Sequence, residues 1–189
     1  ARNEGLKYIR GKWVLFADAD DFYNKNAFSI LDNYINSDND VIYFFANSLD
    51  VNTLLPTPRE KDLQNIYEKY DSDNIRSADY IRFKNWAPWN KMISRNLIER
   101  NKIRFQPNFF NGEGFAFSVE SFLNANRVAM GYKHLYYYRV GDPNSGASRF
   151  KEEWINSSIN AQQYIKSIFA NPSSALLRAW AFSNWHTHC

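Results

Sequence analysis

The chain has 189 residues, of which 44% are hydrophobic and 17% aromatic, and a net charge of +3. That length suits one compact domain burying roughly 70% of its unfolded surface, and the mild, interspersed charge excludes nucleic acid as an expected partner. No apolar run is long enough to cross a bilayer, and the single cysteine, Cys189, excludes an internal disulfide and fits a reducing, cytoplasmic compartment.

In chain order, Arg2 to Arg10 reads as a short helix with Leu6 and Ile9 turned inward and Gly11 as its C-terminal cap. Trp13 then leads into Val14-Leu15-Phe16-Ala17, an apolar run that reads as a buried strand. The run ends in Asp18-Ala19-Asp20-Asp21. Carboxylates buried together repel one another and lose their water, so this cluster belongs at an exposed strand end. In open α/β sheets the carboxyl ends of strands are where ligands bind. On an extended backbone Asp18 and Asp20 face the same way, and two such side chains suit a hard divalent cation. A solvated turn explains the cluster alone equally well. A calcium loop does not fit, because Phe22 and Tyr23 occupy its fifth and sixth positions. An aspartyl-nucleophile phosphotransferase also places Asp-x-Asp after an apolar strand and stays as an alternative, although Phe22 departs from its pattern.

Further along, Asn24 caps a predicted helix from Lys25 to Asn36, with Phe28, Leu31, Tyr34 and Ile35 as its core face. Asp40 to Ala46 reads as a central strand. Glu60 to Tyr70 and Ser77 to Phe83 read as helices on either side of a polar break. Trp86-Ala87-Pro88-Trp89-Asn90-Lys91-Met92-Ile93-Ser94-Arg95 precedes a helix over Asn96 to Lys102, and Ile103-Arg104-Phe105 follows it. Pro107 to Gly114 is a predicted loop, and Phe115 to Asn126 the next helix. Val128 to Tyr132 and Lys133 to Val140 read as a strand pair joined near Gly131, and a Gly/Ser-rich loop carries Arg149. Phe150 to Phe169 and Pro172 to Trp185 read as two helices, whose apolar faces suit the domain itself, a sister chain or a membrane surface. His186, His188 and Cys189 read as terminal residues rather than a metal site.

Several of these stretches, taken together, resemble the family 2 glycosyltransferases, which have the GT-A fold. Ala1-Arg2-Asn3-Glu4-Gly5-Leu6, the strand with Asp18-Ala19-Asp20-Asp21, Trp89-Asn90-Lys91-Met92, Ile103-Arg104-Phe105 and Tyr136-Tyr137-Tyr138-Arg139 match that family's motifs in order. The resemblance covers roughly residues 1 to 150 and implies an α/β, Rossmann-like three-layer sheet with helices, followed by a helical extension over 151–189. The family places two strand–helix units before the first of these motifs, so it also implies a domain incomplete at the N-terminus.

The resemblance implies inverting transfer of a sugar from a nucleotide-diphosphate donor, with UDP-sugars the commonest, to a hydroxyl of a glycan or lipid-linked glycan. It implies a divalent cation, Mn2+ or Mg2+, on Asp20, with Asp18 on the donor ribose or a metal-bound water. Arg2, Asn3, Lys91 and Arg139 would meet the donor and its phosphates. The acceptor's base comes from an acidic pair in the loop at residues 107–114, where this chain keeps Glu113 but has Gly114 in place of the usual Asp. Glu113 is therefore the expected base. Gly114 also leaves room for the rival expectation, a non-catalytic glycan-binding or scaffold domain. The C-terminal helices are the expected place for peripheral contact at the inner membrane face or with a second copy.

Overall fold

The computed structural model describes residues 1–58, 60, 87–109, 112–142 and 153–169. The predicted helices at Glu60–Tyr70, Ser77–Phe83 and Pro172–Trp185 lie wholly or almost wholly outside these residues, as do Trp86, Arg149 and the terminal His186, His188 and Cys189.

Among the described residues, five strands form one mixed sheet in the order β1-β4-β3-β5-β2. They are β1 (Trp13–Leu15), β2 (Phe22–Tyr23), β3 (Val41–Asp50), β4 (Lys91–Ser94) and β5 (Val128–Val140). β3 and β5 run parallel, and the remaining pairs are antiparallel. Among the described residues, five α-helices accompany them: α1 (Arg2–Leu6), α2 (Ala27–Leu31), α3 (Arg95–Arg100), α4 (Glu113–Asn124) and α5 (Glu153–Phe169).

β3 alternates between two cores, which is why its apolar run is continuous. Val41, Tyr43 and Phe45 enter one core with Leu97 and Ile98 of α3 and Ala116, Phe117 and Val119 of α4. Ile42, Phe44 and Ala46 enter the other with Ala27 and Leu31 of α2 and with Trp89 and Tyr136. Helices therefore cover both faces, which is the three-layer arrangement expected. Among the described residues, no helix is long and apolar enough to cross a membrane.

Four local expectations are corrected. The residues read as a strand pair joined at Gly131 form the single thirteen-residue strand β5. Its register against β3 shifts between Phe44 and Phe45 and again between Phe45 and Ala46, so the extra residues are absorbed as a bulge rather than a turn. Gly131 marks a close approach there: a Cβ on it would lie 3.2 Å from the Tyr34 hydroxyl.

The helix after Asn24 is also shorter than its pattern. It ends at Leu31 and tightens into a 3-10 turn over Asp32–Tyr34. Ala27 and Leu31 are buried, whereas Phe28 and Ile35 are exposed. Likewise α1 ends at Leu6 rather than Arg10.

The fourth correction concerns α4. It begins at Glu113, inside the predicted loop, because Gly112 adopts a left-handed conformation (φ 94°) as its N-cap. A carboxylate in the first turn of a helix also meets the positive end of its dipole.

Candidate active site

Arg2 stands at the centre of the site. One terminal nitrogen, Nη1, donates to Glu113 Oε1 at 2.8 Å, and the other, Nη2, pairs with Asp18 Oδ1. The three residues come from α1, the turn after β1 and the first turn of α4, so a single guanidinium fork joins segments up to 111 positions apart. All three side chains are about 30% exposed, leaving the cluster open to a ligand. Burial works against the Arg2 charge, but Asp18 and Glu113 override it and hold the group above its ordinary value.

Aromatic packing fixes this fork from beneath. Phe105 and Phe117 stack at 4.0 Å, and Phe16 meets both rings edge-on at 5.2 and 5.3 Å. The Arg2 guanidinium carbon lies 5.3 Å from the centre of the Phe105 ring. Asn3 ties α1 to the same place: its Nδ2 donates to the Phe105 carbonyl at 2.7 Å, and its Oδ1 accepts from the Phe105 N–H at 2.9 Å. The Ile-Arg-Phe segment therefore acts as a seat for α1.

The aspartates occupy a turn rather than an extended strand. β1 ends at Leu15, and the Asp21 N–H donates to the Asp18 carbonyl at 3.1 Å. The expectation that Asp18 and Asp20 share one strand face is corrected accordingly. Asp18 faces Arg2, while Asp20 is exposed and its carboxylate has no hydrogen bond or ion pair among the described residues.

Asp21 points the other way, accepting from the Tyr136 hydroxyl at 2.8 Å and the Arg139 N–H at 2.8 Å. Burial raises its pKa to about 6, with a smaller push from Asp20 and Asp18 and opposition from those two hydrogen bonds. The Tyr136 hydroxyl also accepts from the Asp18 N–H at 3.0 Å, so one phenol clamps both ends of the turn. Arg139 completes it, its Nε donating to the Asp20 carbonyl.

Arg2, Asp18, Glu113, Asp20 and Arg139 are thus linked through one network of side chains and the turn. Lys91 lies apart from that network. It is fully buried, donates to the Ala87 carbonyl and to Ser118 Oγ at 3.1 Å, and sits 5.0 Å from the centre of the Tyr43 ring. Burial drives its pKa well below the usual lysine range.

The structural parts of Asp21 and Tyr136 were missed by sequence reasoning. The Tyr-x-Tyr-Arg pattern was the available signal, but it gave no indication that its first tyrosine crosses to the aspartate turn.

Among the described residues, no three His, Cys, Asp or Glu side chains converge into a metal cage. A magnesium or manganese ion usually binds through one or two carboxylates together with substrate phosphates and water. The exposed Asp20 carboxylate beside Asp18 fits that donor set.

Residues 1–123 match the family model described as Glycosyl transferase family 2. The chain belongs to that family. It is 30% identical over 174 residues to the uncharacterized glycosyltransferase EpsJ of Bacillus subtilis, a match covering 90% of this chain and 50% of that protein. It is also 30% identical over 162 residues to the cholesterol galactosyltransferase of Borreliella burgdorferi, covering 78% and 44%. Among solved structures, residues 1–349 of S. aureus TarS match with a TM-score of 0.68 at 22% identity, covering 99% of this chain and 52% of that one. That likeness shows the GT-A fold. The chain spans about half the length of the curated relatives it matches.

Proposed function

We propose that this chain carries the metal, phosphate and acceptor side of an inverting glycosyltransferase acting in cell-surface polysaccharide synthesis. The donor is a nucleoside-diphosphate sugar, with UDP first among the candidates, and the acceptor is a hydroxyl of a glycan or lipid-linked glycan. The observation that carries the reading is the fork of Arg2 between Asp18 and Glu113, which sets the expected base beside the expected metal turn.

The chemistry assigned to these residues is a single displacement. Glu113 accepts the proton of the acceptor hydroxyl as that oxygen bonds to the anomeric carbon. The bond from that carbon to the diphosphate breaks on the opposite side, which inverts the centre. Arg2 holds the Glu113 carboxylate in place through its Nη1 hydrogen bond. Asp20, with Asp18, would hold a divalent cation, which supplies charge stabilisation to the leaving diphosphate. Arg139, at the rim of the same turn, meets phosphate charge. Asn3 and Lys91 support from beneath, Asn3 by seating α1 and Lys91 by holding α4 to the Ala87–Pro88 turn.

TarS has been solved with UDP and with UDP-GlcNAc, which supports a uridine donor for proteins of this fold. Among relatives, TarP is a poly(ribitol-phosphate) beta-N-acetylglucosaminyltransferase and the Borreliella protein a cholesterol galactosyltransferase. Their sugars and acceptors differ, so family membership leaves both open here.

Calorimetric titration of UDP, with and without manganese, tests the reading. Manganese-dependent binding that disappears in Asp20→Ala is expected, with transfer lost in Glu113→Gln. Absence of binding by UDP, GDP, CMP and dTDP compounds alike would reject it. Gly114 favours one second reading, a GT-A domain that binds donor or glycan without turnover. That reading requires UDP binding with no transfer to any glycan acceptor.

A further inference from the structure

The edge of the sheet beyond the aspartate turn carries an aromatic surface with no part in the displacement above. Phe22 and Tyr137 are directly paired across β2 and β5, so their side chains leave the same face. Their rings stack with centroids 4.8 Å apart and planes 22° from parallel. Phe22 nevertheless remains 42% exposed. With one ring face against Tyr137, that exposure falls on the opposite face and the rim. The next pair, Tyr23 and Tyr136, points to the other side of the sheet and packs into the core. The core therefore takes two of these four rings and leaves the other two outside it.

We propose that the open face of Phe22, backed by Tyr137, is an acceptor subsite that stacks on the apolar face of a sugar ring. This rests on the glycosyltransferase reading and extends it to the acceptor. A pyranose presents C–H groups on one face and hydroxyls at its rim. An aromatic ring meets the former, and neighbouring polar groups meet the latter. Both kinds of group are present. Asn24 Nδ2 donates to the Tyr137 hydroxyl at 3.4 Å, and Arg139 lies two residues beyond Tyr137 on the same strand face.

The location favours acceptor over donor. Phe22 follows Asp21 directly, and Arg139 reaches the Asp20 carbonyl, so the subsite adjoins the turn assigned to the leaving diphosphate. A donor must be enclosed to keep water from its reacting bond. A glycan chain instead runs across open surface, and β2 is the edge strand of the sheet. Two stacked rings also hold the outer one in a fixed plane, so little side-chain freedom remains to be lost on binding.

Saturation-transfer NMR titrations of chitotetraose, galactotetraose and maltotetraose, with UDP titrated in parallel by calorimetry, test this. At least one oligosaccharide should bind the wild-type protein at millimolar concentration. Phe22→Ala should weaken it about tenfold, as expected for loss of one stacked ring. Phe22→Trp should retain it, and UDP affinity should stay unchanged in both. Circular dichroism and the retained UDP affinity control for folding. Unchanged sugar binding in Phe22→Ala, no binding of any oligosaccharide to wild type, or a parallel fall in UDP affinity would each overturn the subsite. Sugar binding without UDP binding would instead reject the transferase reading and leave Phe22 as a glycan contact.

Discussion

Pro88 occupies the space that a side chain on Gly114 would need: a Cβ built there lies 2.9 Å from Pro88 Cδ and 3.3 Å from its Cγ. The departure from the acidic pair is therefore matched by a partner elsewhere in the chain. Gly114→Asp is expected to destabilise the domain by about 1–3 kcal/mol through overpacking rather than to restore a second carboxylate. Urea denaturation of Gly114→Asp, Pro88→Ala and the double variant measures this. The double variant should recover part of the loss, since residues in contact couple. Additive losses would show that Pro88 does not set the identity of residue 114.

Arg2 is assigned two carboxylates, and a substitution can separate its charge from its shape. Arg2→Lys keeps the charge but presents one ammonium, which cannot reach both partners in the same fork geometry. Removing the fork should change stability by only about 0–1 kcal/mol, because the pairs are partly exposed. Its main effect is expected on ligand binding and transfer. UDP affinity and transfer rate should fall in Arg2→Lys and further in Arg2→Ala, with little change in melting temperature. A large stability loss with unaltered UDP affinity would make the fork a structural tie alone.

The sequence carried the order of the motifs and the central strand from Asp40, and it offered Arg2, Asp18 and Glu113 as candidates. It did not carry the contact among them, because Arg2 and Glu113 lie on separate elements and meet only once α1 is seated on Phe105. Gly131 misled because a glycine inside a strand and one at a turn look alike until the opposing Tyr34 is placed. Phe28 misled because helical spacing fixes a stripe but not its depth, and the core it was assigned to is filled by Ala27 and Leu31. Lys91 is expected from its motif to meet the donor phosphates, yet it is fully buried among groups from α4 and β3, which its own neighbours in sequence do not reveal.

Tyr136→Phe isolates the clamp on the aspartate turn. The variant keeps the ring stacked on Trp89 at 4.6 Å while removing the hydroxyl that joins the Asp18 N–H to the Asp21 carboxylate. Both hydrogen bonds are part-buried and Asp21 keeps the Arg139 N–H, so a loss of about 0.5–1.5 kcal/mol per hydrogen bond is expected in denaturant unfolding. Manganese-dependent UDP binding should weaken as well, since the turn that presents Asp20 is no longer held at both ends. Retained affinity together with retained stability would show that the backbone alone defines the turn.

Lys91 gives a pH-dependent prediction whose sign is fixed by its burial. Burial disfavours the ammonium, so the folded-state pKa lies well below the ordinary 10.5. Between those two values the unfolded chain binds more protons than the folded one, and stability rises with pH. Lys91→Met removes this titration and also leaves the Ala87 carbonyl and the Ser118 hydroxyl without the lysine. Wild type should therefore gain unfolding free energy relative to the variant as pH rises toward 10.5, because only the wild type titrates there. Unfolding free energies of both proteins at pH 7 and pH 9 check this, and a wild type that gains nothing on the variant between the two would overturn the assignment of a buried, deprotonating lysine.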